Sequence, residues 1–491
     1  MHDMLCRLRK YFHAMRLWAK MAIILQDGGA HKETFHPTGD GGSKLCMLCR
    51  NIWTETCNVC DEDGTDLLMC NVIKTANLVL ATSKQLRKTA RYLETKVGVM
   101  TGEKFTNLQQ ALGITHEPYG ILLDRTLDTI VQPTEVFMHD WMHLLFVSGV
   151  ANLVVYLTFE SFIGNDRKEV YEHFRNYVSV WHWPGRLHGS GLSEIFTEKR
   201  KDSHREAKRI KCQASDMLCL IPVLALFVQT ILLNTGLCGD ECRAFLAMAD
   251  MIELIFSTTR LKVDPETLKA SVELFLELFV RAYGYDWMIP KFHWLLHLSI
   301  ILGRFGVLLN CFALERKHRV PKRYSTEITN QSKYDSRSLL MEVTCHSLAG
   351  ITNPKVFDFE IGLIGGKPAT KKVRAMITSM LELTAHHEIQ VAIESRFNAL
   401  ATCKRNDVIL VKVGDASIKA AKVLLHFEVM NVSLSLVSMW DLHSSDSNLG
   451  ISKWYATDAT ELIETHDILA CLCHTKLRGG LVQVLLPPEF R

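Results

Sequence analysis

The chain has 491 residues, 22% charged and 48% hydrophobic, which excludes a disordered or low-complexity protein and gives room for two or three domains with sizeable cores. A formal net charge of +3 excludes a globally polybasic binder, so any nucleic-acid footprint must be local. Fifteen cysteines, with close C-x-x-C pairs, favour metal-bound or free thiols in a reducing compartment over a disulfide framework.

The opening MHDMLCRLRKYFHAMRLWAK is a basic amphipathic helix of the kind found in mitochondrial presequences. Because the strand-like run MAIILQD follows at once, it reads instead as part of a folded domain. The strand Met21 to Leu25 delivers Asp27 at its end, next to Gly28-Gly29. That is a common place for a metal-binding catalytic carboxylate, and equally for an ordinary strand-to-turn Asp. Cys46 and Cys49 then form a C-x-x-C able to hold a soft metal through two thiolates, and Cys57 and Cys60 follow closely. Two zinc schemes are open. In one, the four cysteines make a local knuckle; in the preferred one, Cys46 and Cys49 meet His293 and His297 across about 240 residues of chain.

From Val72 to Leu112 the sequence is polar and helical. Asp140 and His143 stand at i and i+3 of a helix start, with Asp140 as an N-cap. They are either a plain capped helix or a polar pair near an active centre. Between Ser148 and Tyr285 an apolar stripe of period 3.6 predicts helices almost throughout. The segments from His143 to Phe159 and from Met217 to Leu233 are apolar, but each holds polar or breaking residues, and each reads as a buried helix rather than a membrane span. Glu198 to Lys211 carries seven Lys and Arg residues. Lys199, Arg200 and Lys201 are its candidate phosphate contacts, against the alternative of a solvated face.

His293 and His297, four residues apart on one helix face, can reach a single metal ion. Glu315 follows His297 by 18 residues and sits among Arg316, Lys317, Arg319, Lys322 and Arg323. A lone carboxylate in such a cluster points to a bound cation beside a polyanion. Gly362 to Thr370 reads as a linker. From about Asp407 onward, alternating apolar segments separated by Gly, Asn and Ser predict a small barrel-like β module, a peptide reader or a packing partner for the helices.

An Asp 19 residues before a C-x-x-C, then a helical stretch containing D-x-x-H, then paired His, then a Glu in a basic helix, resembles the DDE/D transposases with an inserted helical domain. Within them the chain looks most like CACTA (En/Spm) and Plavaka-type transposon proteins, and more distantly like the V(D)J recombinase core. The segments LQDGGAHKETFHPTGDGGSKLCMLC and HDWMHLLFVSG carry the likeness, which covers roughly residues 20 to 345.

The resemblance implies a partial ribonuclease-H-like core (1–70) with a large all-α insertion (71–290) and catalytic-type helices (291–346); with the linker and helix (347–400) and the small β module (401–491) read from the sequence pattern, the expected fold class is α+β. It implies Asp27 and Glu315 as catalytic ligands of Mg2+ or Mn2+, and structural Zn2+ on Cys46, Cys49, His293 and His297. It also implies DNA as a partner, possible self-association and a nuclear location. Only Asp3 precedes Asp27 among acidic residues, so the family's first catalytic Asp is missing. The expectation is an N-terminally truncated or decayed transposase, inactive alone, with a non-catalytic zinc-stabilised DNA- or protein-binding protein, or a helical scaffold with a β reader module, as the alternative.

Overall fold

The computed structural model describes residues 23–54, 68–69, 72–185, 191–312, 360–383, 387–398, 401–414 and 417–491. Glu315, Arg316, Lys317, Arg319, Lys322 and Arg323, and the alternative zinc ligands Cys57 and Cys60, lie outside the described residues. The chain is a mixture of helix and sheet and divides into two compact units. The first takes residues up to Leu144 together with Asp264–Glu273 and Tyr285–Cys311; the second takes Leu145–Val263, Leu274–Gly284 and the chain from Phe312.

In the first unit, β1 (Ile24–Gln26) leads into α1 (Gly28–Phe35), whose N-cap is Asp27. Among the described residues the strand overlaps the end of its expected apolar run and reaches Gln26, and Gly28-Gly29 open a helix rather than a turn. Two helices follow, α2 (Ser83–Glu94) with a Thr82/Gln85 capping box and α3 (Gly102–Leu112). The short β4 (Phe137–His139) pairs in parallel with β1, matching Ile24 to Phe137, Leu25 to Met138 and Gln26 to His139. A second parallel pair joins β2 (Ile52–Trp53) to β3 (Leu68–Met69). These two pairs are the sheets of this unit among the described residues. The broad mixed sheet of a ribonuclease-H core is not among them.

The apolar run from His143 is two helices, not one. α4 (Trp141–Leu145) ends before Ser148, whose φ of 48° lies in the left-handed region, and α5 (Val150–Gly164) starts after Gly149. Asn152 secures that restart: its side chain accepts from Gly149 N (3.2 Å) and donates to Ile210 O (2.9 Å). α5 is buried on nearly every side, which explains its uniformly apolar sequence. Around it lie α6 (Val170–Ser179), α7 (Glu198–Ala207), α8 (Ala214–Phe227) and α9 (Gly239–Ser257). Phe159, Phe174, Phe196 and Phe227 interlock at their centre, with Phe174 and Phe196 edge-to-face at 4.7 Å. Two stretches, Trp141–Gly164 and Ala214–Thr235, are long and apolar enough to cross a membrane; 83% and 50% of their respective apolar windows are buried within the protein. The remaining long helices are α10 (Pro265–Tyr283) and α11 (Pro290–Phe305).

The C-terminal strands form an open antiparallel sheet, not a barrel. Its path runs β15 (Ile468–Leu472), β11 (Val408–Val413), β12 (Ser417–Val429), β13 (Val432–Asp446), β14 (Ile451–Glu464), β17 (Leu481–Leu485), β16 (His474–Lys476) and finally β5 (Trp181–His182). The barrel expectation fails because β5, borrowed from the helical region, occupies one edge and β15 the other, and no pairing joins them among the described residues. Part of the expected linker is strand, β6 (Gly362–Ile364) and β7 (Lys367–Pro368), followed by α12 (Lys371–Met380). The remaining strands, β8 (Ile389–Ala392), β9 (Glu394–Asn398) and β10 (Ala401–Lys404), complete the unit; β8 pairs with β12, and β9 with β6 and β10.

Candidate metal centre and its neighbouring carboxylates

The loop after α1 carries Cys46 and Cys49 and is clamped by the segment 77–81. Arg50 N donates to Val79 O (2.7 Å), Ala81 N to Leu48 O (2.9 Å), and the Asn51 side chain bonds Asn77 O and Val79 N. On the other side, Pro290 at the first turn of α11 and Gly306 at its left-handed C-cap fix the helix that carries His293 and His297. All four side chains are buried, the histidines at 0% and 1% exposure.

The structure brings these four ligands together. His297 Nε2 lies 3.5 Å from Cys46 Sγ, 3.3 Å from Cys49 Sγ and 3.2 Å from His293 Nε2, and all four ligand atoms fall within 4.8 Å of one another. A tetrahedral Zn2+ with ordinary bond lengths gives S···N edges of about 3.6 Å and N···N edges of about 3.3 Å. The cluster is therefore compatible with a zinc site, and the donor set is the soft one that zinc prefers. Burial raises the Cys46 thiol, but the Cys49 hydrogen bond and the two imidazoles outweigh it and bring it well below the usual range. Cys49, buried beside that thiolate, is pushed up. One charge on the pair without a metal is the arrangement that a divalent cation would complete.

Register sets the adjoining carboxylates. Because β1 and β4 pair in parallel with Gln26 opposite His139, the next residues, Asp27 and Asp140, leave the C-terminal ends of neighbouring strands. Asp27 is partly exposed, and its Oδ1 accepts from Ala30 N (2.6 Å). Asp140 is nearly fully buried; its Oδ1 accepts from Met142 N (3.1 Å) and Cys311 N (3.0 Å), while its Oδ2 contacts His143 Nδ1. The Asp140 cap expected from sequence is thus present, and it also orients the imidazole. His143 Nε2 lies 3.8 Å from Asp27 Oδ2. Lys291 Nζ donates to the His143 carbonyl (2.9 Å). A cavity of about 250 Å3 opens here, with Asp27, Asp140, His143 and Lys291 in its wall.

Two further histidines, His31 and His139, belong to this neighbourhood. His31 stacks on Phe137 at 4.1 Å, approaches Met47 Sδ at 3.1 Å, and burial brings its pKa down to about 4. His139 stacks on Trp294 and lies beside His297, and burial keeps it neutral. Sequence spacing signals neither; the only hint is that each adjoins an Asp-bearing strand end.

Of the basic candidates, Lys199 and Arg200 are exposed on α7, whereas Lys201 is 7% exposed, bonds Glu198 (3.0 Å) and lies over the Tyr171 ring. The helical turn puts this lysine on the buried face of α7 together with His204, three residues on. Comparison with protein-family models, curated proteins and solved structures gives no match to this chain.

Proposed function

We propose that the chain is a zinc-stabilised, transposase-derived protein of the DDE/D type that binds DNA, with catalysis impaired by a short supply of carboxylate ligands. The observation that carries this reading is the meeting of a C-x-x-C, 19 residues after a strand-end Asp, with a His pair from α11 at one buried point, while Asp27 itself lines the adjoining cavity. Zn2+ on Cys46, Cys49, His293 and His297 would tie the loop after α1 to α11, and with it the segment that leads on to Glu315.

Mg2+ or Mn2+ held at Asp27 and Glu315 would, when bound, activate an attacking hydroxyl and stabilise the leaving oxygen at a phosphodiester. The chain's own contribution lies in Asp27, His143 and Asp140. Asp27 offers a partly exposed carboxylate to the cavity. His143, held by Asp140 through Nδ1, presents Nε2 where a proton can be taken from or given to a phosphate-bound oxygen. Asp140 has both oxygens engaged, so it positions rather than ligates. This leaves one described carboxylate, Asp27, open to the cavity at the centre, and a two-metal reaction needs more. The reading includes a nuclear location and contacts to phosphates from Lys199 and Arg200.

The test is a supercoiled-plasmid assay in Mg2+ and in Mn2+, alongside salt-dependent DNA binding. Expected are binding that weakens steeply with salt and nicking that is weak, stronger in Mn2+, and abolished in Asp27→Ala. Absence of DNA binding at low salt overturns the reading and favours a zinc-stabilised protein-binding scaffold.

A further inference from the structure

The second unit contains a cavity of about 710 Å3 on the C-terminal sheet, within the size range of small-ligand sites. Its wall is formed by residues of β12, β13, β14 and β17 together with the segment His182–Gly185. That segment is fastened at both ends. At one end β5 pairs with β16, His182 opposite His474, and Thr475 Oγ1 donates to Val180 O (3.0 Å). At the other, Gly185 N donates to Asp407 Oδ1 (2.7 Å) and Lys404 Nζ to Gly185 O (3.3 Å). Gly185 suits this close approach, since a Cβ there would sit 3.1 Å from the Lys404 side chain and 3.2 Å from Asp407 Oδ1.

The lining is unlike that of a packing defect. Alternation along β12 puts Lys422 on the same face as Ala420, which belongs to the apolar cluster of Trp440, Trp454 and Val482. A half-buried ammonium on a core-facing position needs a counter-charge. Among the described residues, Lys422, Lys476 and Arg405 make no ion pair. Both lysines act on His474, whose pKa falls to about 4 through burial first, then His182 and the two ammonium groups. Of the two carboxylates in the lining, Asp407 is committed to the backbone amides of Gly185 and Lys404, and Asp458 is exposed. The indoles of Trp183 and Trp440 and the stacked His182–His474 pair, 5.0 Å apart, supply aromatic surface between the cations.

We propose that this cavity binds a nucleotide, its phosphate meeting Lys422, Lys476 and Arg405 and its base lying against the aromatic lining. Charge-assisted hydrogen bonds to phosphate together with base–aromatic stacking are the recognition chemistry such a lining provides. The nucleotide can come free or as the phosphorylated end of a single strand.

The test is tryptophan fluorescence and calorimetric titration of the full chain with ADP, adenosine, inorganic phosphate and a 5′-phosphorylated four-nucleotide single strand. The variants are Lys422→Met, Lys476→Met and, as a control on an exposed position outside the cavity, Lys412→Met. Expected is saturable binding of ADP or of the strand, at one per chain, at least tenfold tighter than adenosine or phosphate alone. It should weaken at least tenfold in Lys476→Met, whose exposed position keeps the fold intact, and in Lys422→Met, and stay within twofold in Lys412→Met. A preference for the strand over ADP identifies the strand end as the source, and the reverse identifies free nucleotide. Absence of saturable binding, or binding that Lys476→Met leaves within twofold, overturns the proposal. The plasmid and zinc experiments do not involve this cavity, so its failure leaves the transposase reading untouched.

Discussion

Asp27 and Asp140 leave adjacent parallel strands at matching positions, yet their surroundings give them different work. Asp140 satisfies two buried amides and an imidazole; Asp27 has one amide and otherwise faces the cavity. Removing Asp140 orphans buried donors, which costs on the order of 1–3 kcal/mol apiece. Losing Asp27 removes an exposed N-cap worth about 1 kcal/mol. Asp140→Ala is therefore expected to lower the urea midpoint of the first unit clearly more than Asp27→Ala, and Asp27→Ala to lose divalent-cation affinity with the fold retained. Equal destabilisation by the two would remove the division of labour.

At the scale of elements, the sequence showed what repeats and hid what does not. His293 and His297 stand out because i,i+4 spacing has one geometric meaning on a helix, and Cys46 and Cys49 because C-x-x-C does. β1 and β4 have three residues each and carry no period, so their parallel pairing, between residues 113 positions apart, left no trace. The pair Trp181–His182 was absorbed into a helical region for the same reason, although it forms an edge of the C-terminal sheet. A basic run gives no sign that one of its lysines, Lys201, turns inward. Within the sheet, His426 sits between Ser435 and Cys403, and burial brings both His426 and His474 down to about 4. A folded-state pKa below the unfolded value of about 6.5 means that the unfolded chain binds protons first as pH falls. The stabilisation is complete above about pH 6.5 and is lost toward pH 4. At pH 5 each histidine should account for a loss on the order of 2 kcal/mol. Urea unfolding at pH 7.5 and pH 5.0 checks this: wild type should weaken more than His426→Gln, and identical pH slopes would contradict it.

For the whole molecule, the buried Cys46, Cys49, His293 and His297 cluster shows how distant stretches of sequence meet within the first unit. Cys46 and His297 are separated by 251 positions and meet within 3.5 Å, so a bound ion would cross-link a long loop and stabilise the first unit through the entropy of closing it. The fold class was legible in outline, as helices followed by strands. The division into two units was not, because each draws on separated segments that only tertiary packing assigns. The most direct measurement is bound zinc by elemental analysis of purified protein, comparing wild type, His293→Ala/His297→Ala and Cys57→Ala/Cys60→Ala. One zinc per chain in the wild type and in the Cys57/Cys60 variant, and none in the histidine variant, is the result expected. Zinc that survives loss of both histidines, or a wild type without zinc, would contradict the account.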